Sequence, residues 1–328
     1  MSGLLDRLDA LRRLSADDQI ALLFVALFGA LAVASAVVSL RSITRDDEEG
    51  ALREKQLRRG LGALWLGALV FWVSWLSGPM GSTLAFGVIS FLALREFITL
   101  AHTRRGDHRG LILAFFLVLP LQYLIVGLRR FDPFSVFIPV YVFLAIPVVS
   151  ALAGDPHRFL ERNAKIQWGI MVCVHGLSHA PALLLLELPR FGGRGAFLLF
   201  FLVAVVAAGQ IAQELASRAL RLRPVVWQID RQFSWRAFAI GIAFAALAGA
   251  GLSWITPVDA ASAAASAAVA AASGALGELV MRALKKDAGV RFWGNASSIT
   301  GAAGLLDRVA PLCFAAPVFF HSVRWYAP

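Results

Sequence analysis

Charge is scarce in this chain. Only 16% of its 328 residues are Asp, Glu, Lys or Arg, while 59% are hydrophobic. A soluble domain would carry about a quarter charged and about half apolar residues. The apolar residues gather in runs of about 20, the length that crosses hydrocarbon, which argues against a soluble core. Alternation of apolar and polar residues is missing too. Leu22–Leu40 shows none of it, which excludes an outer-membrane barrel strand. Cysteine is nearly absent. Cys173 and Cys313 both fall inside apolar runs, so they read as small buried hydrophobes rather than a disulfide or metal ligands. A net charge of +10 raises the question of nucleic acid. The cations, however, lie between apolar runs without interleaved aromatics, so topology and anionic headgroups account for them and no nucleic-acid partner is expected. No cleavable signal peptide is expected either. Met1–Gln19 mixes Asp6, Asp9, Asp17 and Asp18 with Arg7, Arg12 and Arg13, the pattern of a short interfacial helix.

What is present is a series of apolar windows. They predict spans over 20–40, 61–78, 83–101, 111–128, 135–153, 167–188, 196–216, 234–256, 258–281 and 305–323. The expected fold is all-α: a polytopic membrane helix bundle with about ten transmembrane helices. Three regions follow. Residues 1–60 hold the interfacial helix, the first span and a basic loop, 61–195 an N-terminal bundle, and 196–328 a C-terminal bundle. Pro257 marks a tight turn, as do Pro189, Gly192 and Gly193. Lys and Arg concentrate after odd-numbered spans, at Arg41, Arg45, Arg53, Lys55, Arg58 and Arg59, then Arg104, Arg105 and Arg109, then Arg158, Arg162 and Lys165. Arg218, Arg221, Arg223, Arg231 and Arg236 follow, then Arg282, Lys285, Lys286, Arg291 and Arg308. This bias places those loops in the cytoplasm and both termini outside. The window Asp259–Gly277 is almost all Ala, Ser and Gly, so it is expected inside the bundle, and its small faces also permit a homodimer.

Polar residues at membrane depth are costly and point to function. Span seven ends with Gln210, Gln213 and Glu214, spaced for one helix face. Span nine delivers Glu278 to the same side, and span ten begins there with Asp307 and Arg308. Two carboxylates with several cations suit a Mg²⁺–polyphosphate site, because Mg²⁺ takes one or two carboxylates and fills its shell with phosphate and water. The plainer reading is a set of positive-inside residues with interfacial ion pairs. His175 and His179 share a face but lack a third ligand, so packing is favoured over a metal site. Arg95 and Glu96 read as a local ion pair, or as residues lining a cavity.

Further residues carry a resemblance. Gly277-Glu-Leu, Lys285-Lys-Asp-Ala-Gly-Val-Arg291 and Gly301-Ala-Ala-Gly-Leu-Leu-Asp-Arg308 resemble the signature region of the phosphatidate cytidylyltransferases, the CDP-diacylglycerol synthases. Ile89–Leu100 and Leu177–Leu184 resemble segments of bacterial members, and the similarity runs from about residue 60 to the C-terminus. This chain departs from the family pattern at several positions. Glu278 replaces an Asp, Arg282 a Ser, Phe292 an Asp and Ala310 the second Asp of D-R-x-D. Thr300–Gly304 replaces Pro-Gly-His-Gly-Gly. Gly209-Gln210 stands where the family has Asn-Asp, and a Ser234-Trp235 pair is the remnant of a longer motif.

The resemblance implies transfer of a cytidylyl group from CTP to phosphatidate, with release of pyrophosphate. It implies Asp307, Glu278 and Lys285 as catalytic residues, with Glu278 and Asp307 holding Mg²⁺. Lys286, Arg308, Arg291, Gln210, Gln213 and Ser234 would bind substrate. The setting would be the bacterial inner membrane, with the site facing the cytoplasm and membrane lipids as further partners. Two other readings stay open. One is a degenerate paralogue that binds lipid or a partner protein without catalysis, and the other is a lipid or solute transporter.

Overall fold

The computed structural model describes residues 76–99, 104–189, 191–220, 223–231, 233–290 and 304–326, with scattered positions before residue 76. Among these residues the chain is helical and holds no strand. It divides into two compact units, Met1–Ser82 and Thr83–Pro328, and the expected site residues all belong to the second. Helix α1 (Gly78–Thr99) leads to α2 (Arg105–Gly127), α3 (Phe131–Ala151) and α4 (Phe159–Leu185). Then come α5 (Gly195–Ala219), α6 (Trp235–Gly251), α7 (Ala260–Asp287) and α8 (Leu305–Tyr326).

Six of these helices, not ten, are long and apolar enough to cross a membrane: α1 over Met80–Thr99, α2, α3, α4, α5 and α7. Among the described residues the expectation of ten falls short in the C-terminal part of the chain. Helix α6 is cut to 17 residues, and α8 carries Asp307, Arg308 and Arg324 among its apolar residues. The windows 20–40 and 61–78 and the helix expected over Met1–Gln19 lie outside the described residues, scattered positions apart. The apolar windows also stop before the helices do. Arg162 and Lys165 belong to α4, Arg218 to α5, and Arg282, Lys285 and Lys286 to α7. Long cationic side chains let a helix continue past its apolar stretch by carrying the charge out toward water.

Helix α4 is the most buried of the six, with Ile170, Cys173, Leu177, Ala180 and Leu183 at 2% exposure or less. Its π-helical stretch Ile170–Gly176 precedes Pro181. Similar wide turns occur beside Pro120 in α2 and around Pro139 in α3. A proline cannot donate to the i−4 carbonyl and crowds it, and a widened turn relieves both problems.

Small residues set the spacing of α5, α6 and α7. Ala263, Ala267, Ala270, Ala271 and Gly274 form one buried face of α7. A Cβ on Gly249 of α6 would lie 2.4 Å from the Ala267 Cβ and 2.9 Å from the Ala263 carbonyl. The expectation that α7 lies inside the bundle therefore holds on one face only. Val269, Leu276 and Val280 remain exposed on the other.

The start of α4 is tied to the start of α2 by buried charge. The Arg162 guanidinium faces Asp107 at 2.9 Å and Asp155 at 2.7 Å, and Arg162 is 5% exposed. Asp155, in the α3–α4 connection, also accepts the His157 amide. That amide and the Arg162 cation hold the Asp155 carboxyl below its ordinary range.

Two outcomes follow. Gly249→Val should destabilise the bundle by about 1–3 kcal/mol through overpacking, whereas Gly251→Ala, with open space around it, should not. Thermal melting in detergent measures both. A carboxyl with a depressed folded pKa contributes stability above its unfolded value and loses it as pH falls through the folded value. Melting temperature should therefore hold from pH 7 to 5 and fall below about pH 4. Asp155→Asn should melt lower at pH 7 and show a shallower acid fall. An unchanged acid profile contradicts the assignment.

Candidate functional site

Helix α7 runs unbroken to Asp287 because no Pro or interior turn interrupts Leu279–Lys286. It then stops in a Schellman arrangement. Gly289 has φ +69°, its amide bonds to the Lys286 carbonyl, and the Val290 amide bonds to the Lys285 carbonyl. The last turns therefore present Glu278, Arg282 and Lys285 at i, i+4 and i+7 on one face. Around this face four elements converge.

From α5, the Gln210 side-chain amide donates to Glu278 Oε2 at 2.7 Å. From the α5–α6 connection, Asp230 pairs with Arg282, whose other nitrogen pairs with Glu278 Oε1. Arg282 thus bridges two carboxylates, and the Asp230 side chain is only 10% exposed. From α8, Asp307 pairs with Lys285 through Oδ1. Asp307 sits in the first turn of α8, where the exposed amides favour negative charge. From α1, the buried Glu96 carboxylate accepts the amides of Leu305 at 3.1 Å and Leu306 at 2.7 Å.

Of the residues expected at the site, Glu278, Asp307, Lys285 and Gln210 meet here. The two acids do not share one cation. Glu278 pairs with Arg282 and Asp307 with Lys285, about one turn apart on α7. Lys286 and Arg308 are exposed beside them. Gln213 packs its Cβ against Gly241 of α6, where a glycine Cβ would stand 3.0 Å away. Glu214 is exposed and pairs with Arg218 on its own helix. Ser234 is the N-cap of α6, its Oγ accepting the Ala237 amide at 3.2 Å. Arg291 lies outside the described residues, as does Thr300–Ala303. His175 and His179 lie apart from this site. They pack against Phe134, and His179 also against Phe320 and His321. Among the described residues no group of three or more His, Cys, Asp or Glu could hold a metal ion.

Two site residues escaped the sequence reading. Asp230 lies in the α5–α6 connection four residues before the Ser234-Trp235 pair, and nothing in that stretch announces a partner 52 positions away. Glu96 read as a partner of Arg95 or as lining a cavity with it, but Arg95 is exposed while Glu96 turns inward to α8. Its partners are backbone amides, which leave no mark in a sequence.

Residues 57–326 match the model of the cytidylyltransferase family. The chain belongs to that family. It is also 35% identical over 265 residues to the uncharacterized protein YnbB of Escherichia coli (strain K12), covering 80% of this chain and 85% of that protein. Membership supports a nucleotidyltransferase that uses CTP. The α7–α8 junction sets the cations Lys285, Lys286, Arg282 and Arg308 around two carboxylates, Glu278 and Asp307.

The bridging cation is testable. Arg282→Ala leaves Asp230 and Glu278 without their shared partner, and a half-buried carboxylate without its cation is costly. Hydrogen exchange across 223–234 should accelerate, while exchange in the α4 core stays unchanged. Equal rates in both proteins contradict the bridge.

Proposed function

We propose that this cytidylyltransferase-family chain transfers the cytidylyl group of CTP to the phosphate of phosphatidate, forming CDP-diacylglycerol and pyrophosphate. It works at the cytoplasmic side of a bacterial inner membrane. The observation that carries the proposal is the α7–α8 junction. It gathers Glu278, Arg282 and Lys285 at the end of α7, a helix long and apolar enough to cross a membrane, beside Asp307 in the first turn of α8. A site at that level meets a nucleotide from water and a lipid headgroup from the side. Lys and Arg favour the same side, which is the cytoplasmic one by their bias.

In this reaction a phosphate oxygen of the lipid attacks the α-phosphorus of CTP. A new P–O bond forms, the bond from that phosphorus to the bridging oxygen breaks, and its electron pair leaves with pyrophosphate. The attacking oxygen is already ionised near neutral pH, so no strong base is needed. Catalysis reduces to positioning and charge neutralisation. Lys285, Lys286 and Arg308 hold the triphosphate and the departing pyrophosphate, and Arg291 adds a further cation. Gln210 and Gln213 hydrogen-bond phosphate or bound water, and Ser234 borders the nucleotide. The donor set also fits Mg²⁺. Among the described residues Glu278 Oε2 meets a neutral amide and no cation, and Asp307 Oδ2 carries no ion pair. Glu278 and Asp307 would hold the ion, which supplies Lewis-acid neutralisation of phosphate charge.

A specific observation favours a second reading. Each acid of the junction already has a resident cation, as in a paralogue that binds the anionic lipid without chemistry.

One assay separates the two. The purified full-length protein in mixed micelles with phosphatidate, CTP and Mg²⁺ should release pyrophosphate. Asp307→Ala should lower the rate by about 10²-fold or more. Phosphatidate binding without any pyrophosphate release would favour the paralogue.

A further inference from the structure

The start of α8 is capped in an unusual way. The residue before it is Gly304, with φ +87°, which turns the chain into the helix but has no side chain to satisfy its first amides. An α-helix leaves its first amides without internal partners, and a local Ser, Thr, Asp or Asn normally answers one of them. Here the answer comes from α1. Both oxygens of Glu96 are used, Oε1 on the Leu305 amide at 3.1 Å and Oε2 on the Leu306 amide at 2.7 Å.

The grip is rigid on both sides. Glu96 is 7% exposed, between Ala93 and Leu94 at 0% and Phe97 at 6%. Helix α1 presses closely on α4 at this point, since a Cβ on Gly169 would lie 2.9 Å from the Phe97 ring and 3.1 Å from the Leu94 methyl. On the α8 side, Leu306 is 0% and Ala310 1% exposed. The next residue after the two gripped amides is Asp307, whose carboxylate meets Lys285.

We infer that Glu96 is a positioning residue: by holding the Leu305 and Leu306 amides it fixes where the Asp307 carboxylate stands toward α7. The inference rests on the proposed role of Asp307 in binding the magnesium–CTP complex. A carboxylate is the side chain suited to this task, because it offers two acceptors and no donor. It also meets the positive end of the α8 dipole. A glutamine of the same shape turns one acceptor into a donor that opposes an amide. Groups that orient a metal-binding carboxylate typically affect affinity or activity by 10–100-fold when removed.

The test uses the full chain with Glu96→Gln and the charge-keeping Glu96→Asp. Hydrogen exchange across 304–310 should accelerate in Glu96→Gln but not in the α4 core. In the pyrophosphate assay the half-saturating Mg²⁺ should rise on the order of tenfold and kcat should fall. KM for phosphatidate should hold, and Glu96→Asp should recover part of the loss. Unchanged exchange at 304–310 would overturn the inference. So would a lower kcat with unchanged Mg²⁺ dependence, the sign of a merely structural part. If Glu96→Gln does not fold, the same comparison is read between Glu96→Asp and the wild type. A wild type that makes no pyrophosphate would remove the proposed reaction. The grip on α8 would then be decided by the exchange rates alone.

Discussion

An ionised carboxylate at the end of an apolar helix bundle has to be met by a cation or by hydrogen-bond donors, because burial without them costs several kcal/mol. Four such groups, Glu96, Asp230, Glu278 and Asp307, converge where α1, α5, α7 and α8 come together. Each is answered differently: Glu96 by backbone amides, Asp230 by a guanidinium, Glu278 by a guanidinium and a side-chain amide, and Asp307 by an ammonium. That division of partners fixes the relative placement of four elements far apart in sequence. Among the described residues it also leaves one oxygen on Glu278 and one on Asp307 outside any ion pair, which is where a functional reading can begin.

The route from composition to site runs through close packing. Small residues on α7 let α5 and α6 approach until a side chain at 210 reaches one at 278. Gly277 carries the same logic to α8, where a Cβ would collide with the Phe314 ring at 2.2 Å. Glycine and alanine have little transfer energy of their own. Their contribution is proximity, which lets dispersion and a few polar bonds act between backbones. In a family that uses CTP, that proximity puts a cluster of cations beside two acids at one helix junction.

The apolar windows located the helix middles well, since a run that must meet hydrocarbon has few alternatives. Helix ends were less legible. Arg162, Arg282 and Lys285 look like loop cations in a linear reading, yet they belong to helices, because a long cationic stem can follow a helix axis out of the apolar zone. The acids of the junction were legible where a motif surrounded them, as at Glu278 and Asp307. Asp230 and Glu96 were not, since the first depends on how a connection folds back. The second bonds to amides about 210 positions away, and backbone donors are identical at every residue. The same limit applies to Ser234. Its hydroxyl accepts the Ala237 amide as the cap of α6, a bond to a backbone donor that the motif around it did not announce.

The central claim is that Glu278 and Asp307 together receive a divalent ion that arrives with CTP. Manganese can report on this in place of magnesium. Electron paramagnetic resonance on the detergent-solubilised full chain should show tight Mn²⁺ binding that appears only when CTP is added. Glu278→Gln and Asp307→Asn should each weaken it sharply. Mn²⁺ binding that ignores CTP, or that survives both substitutions, would contradict the account.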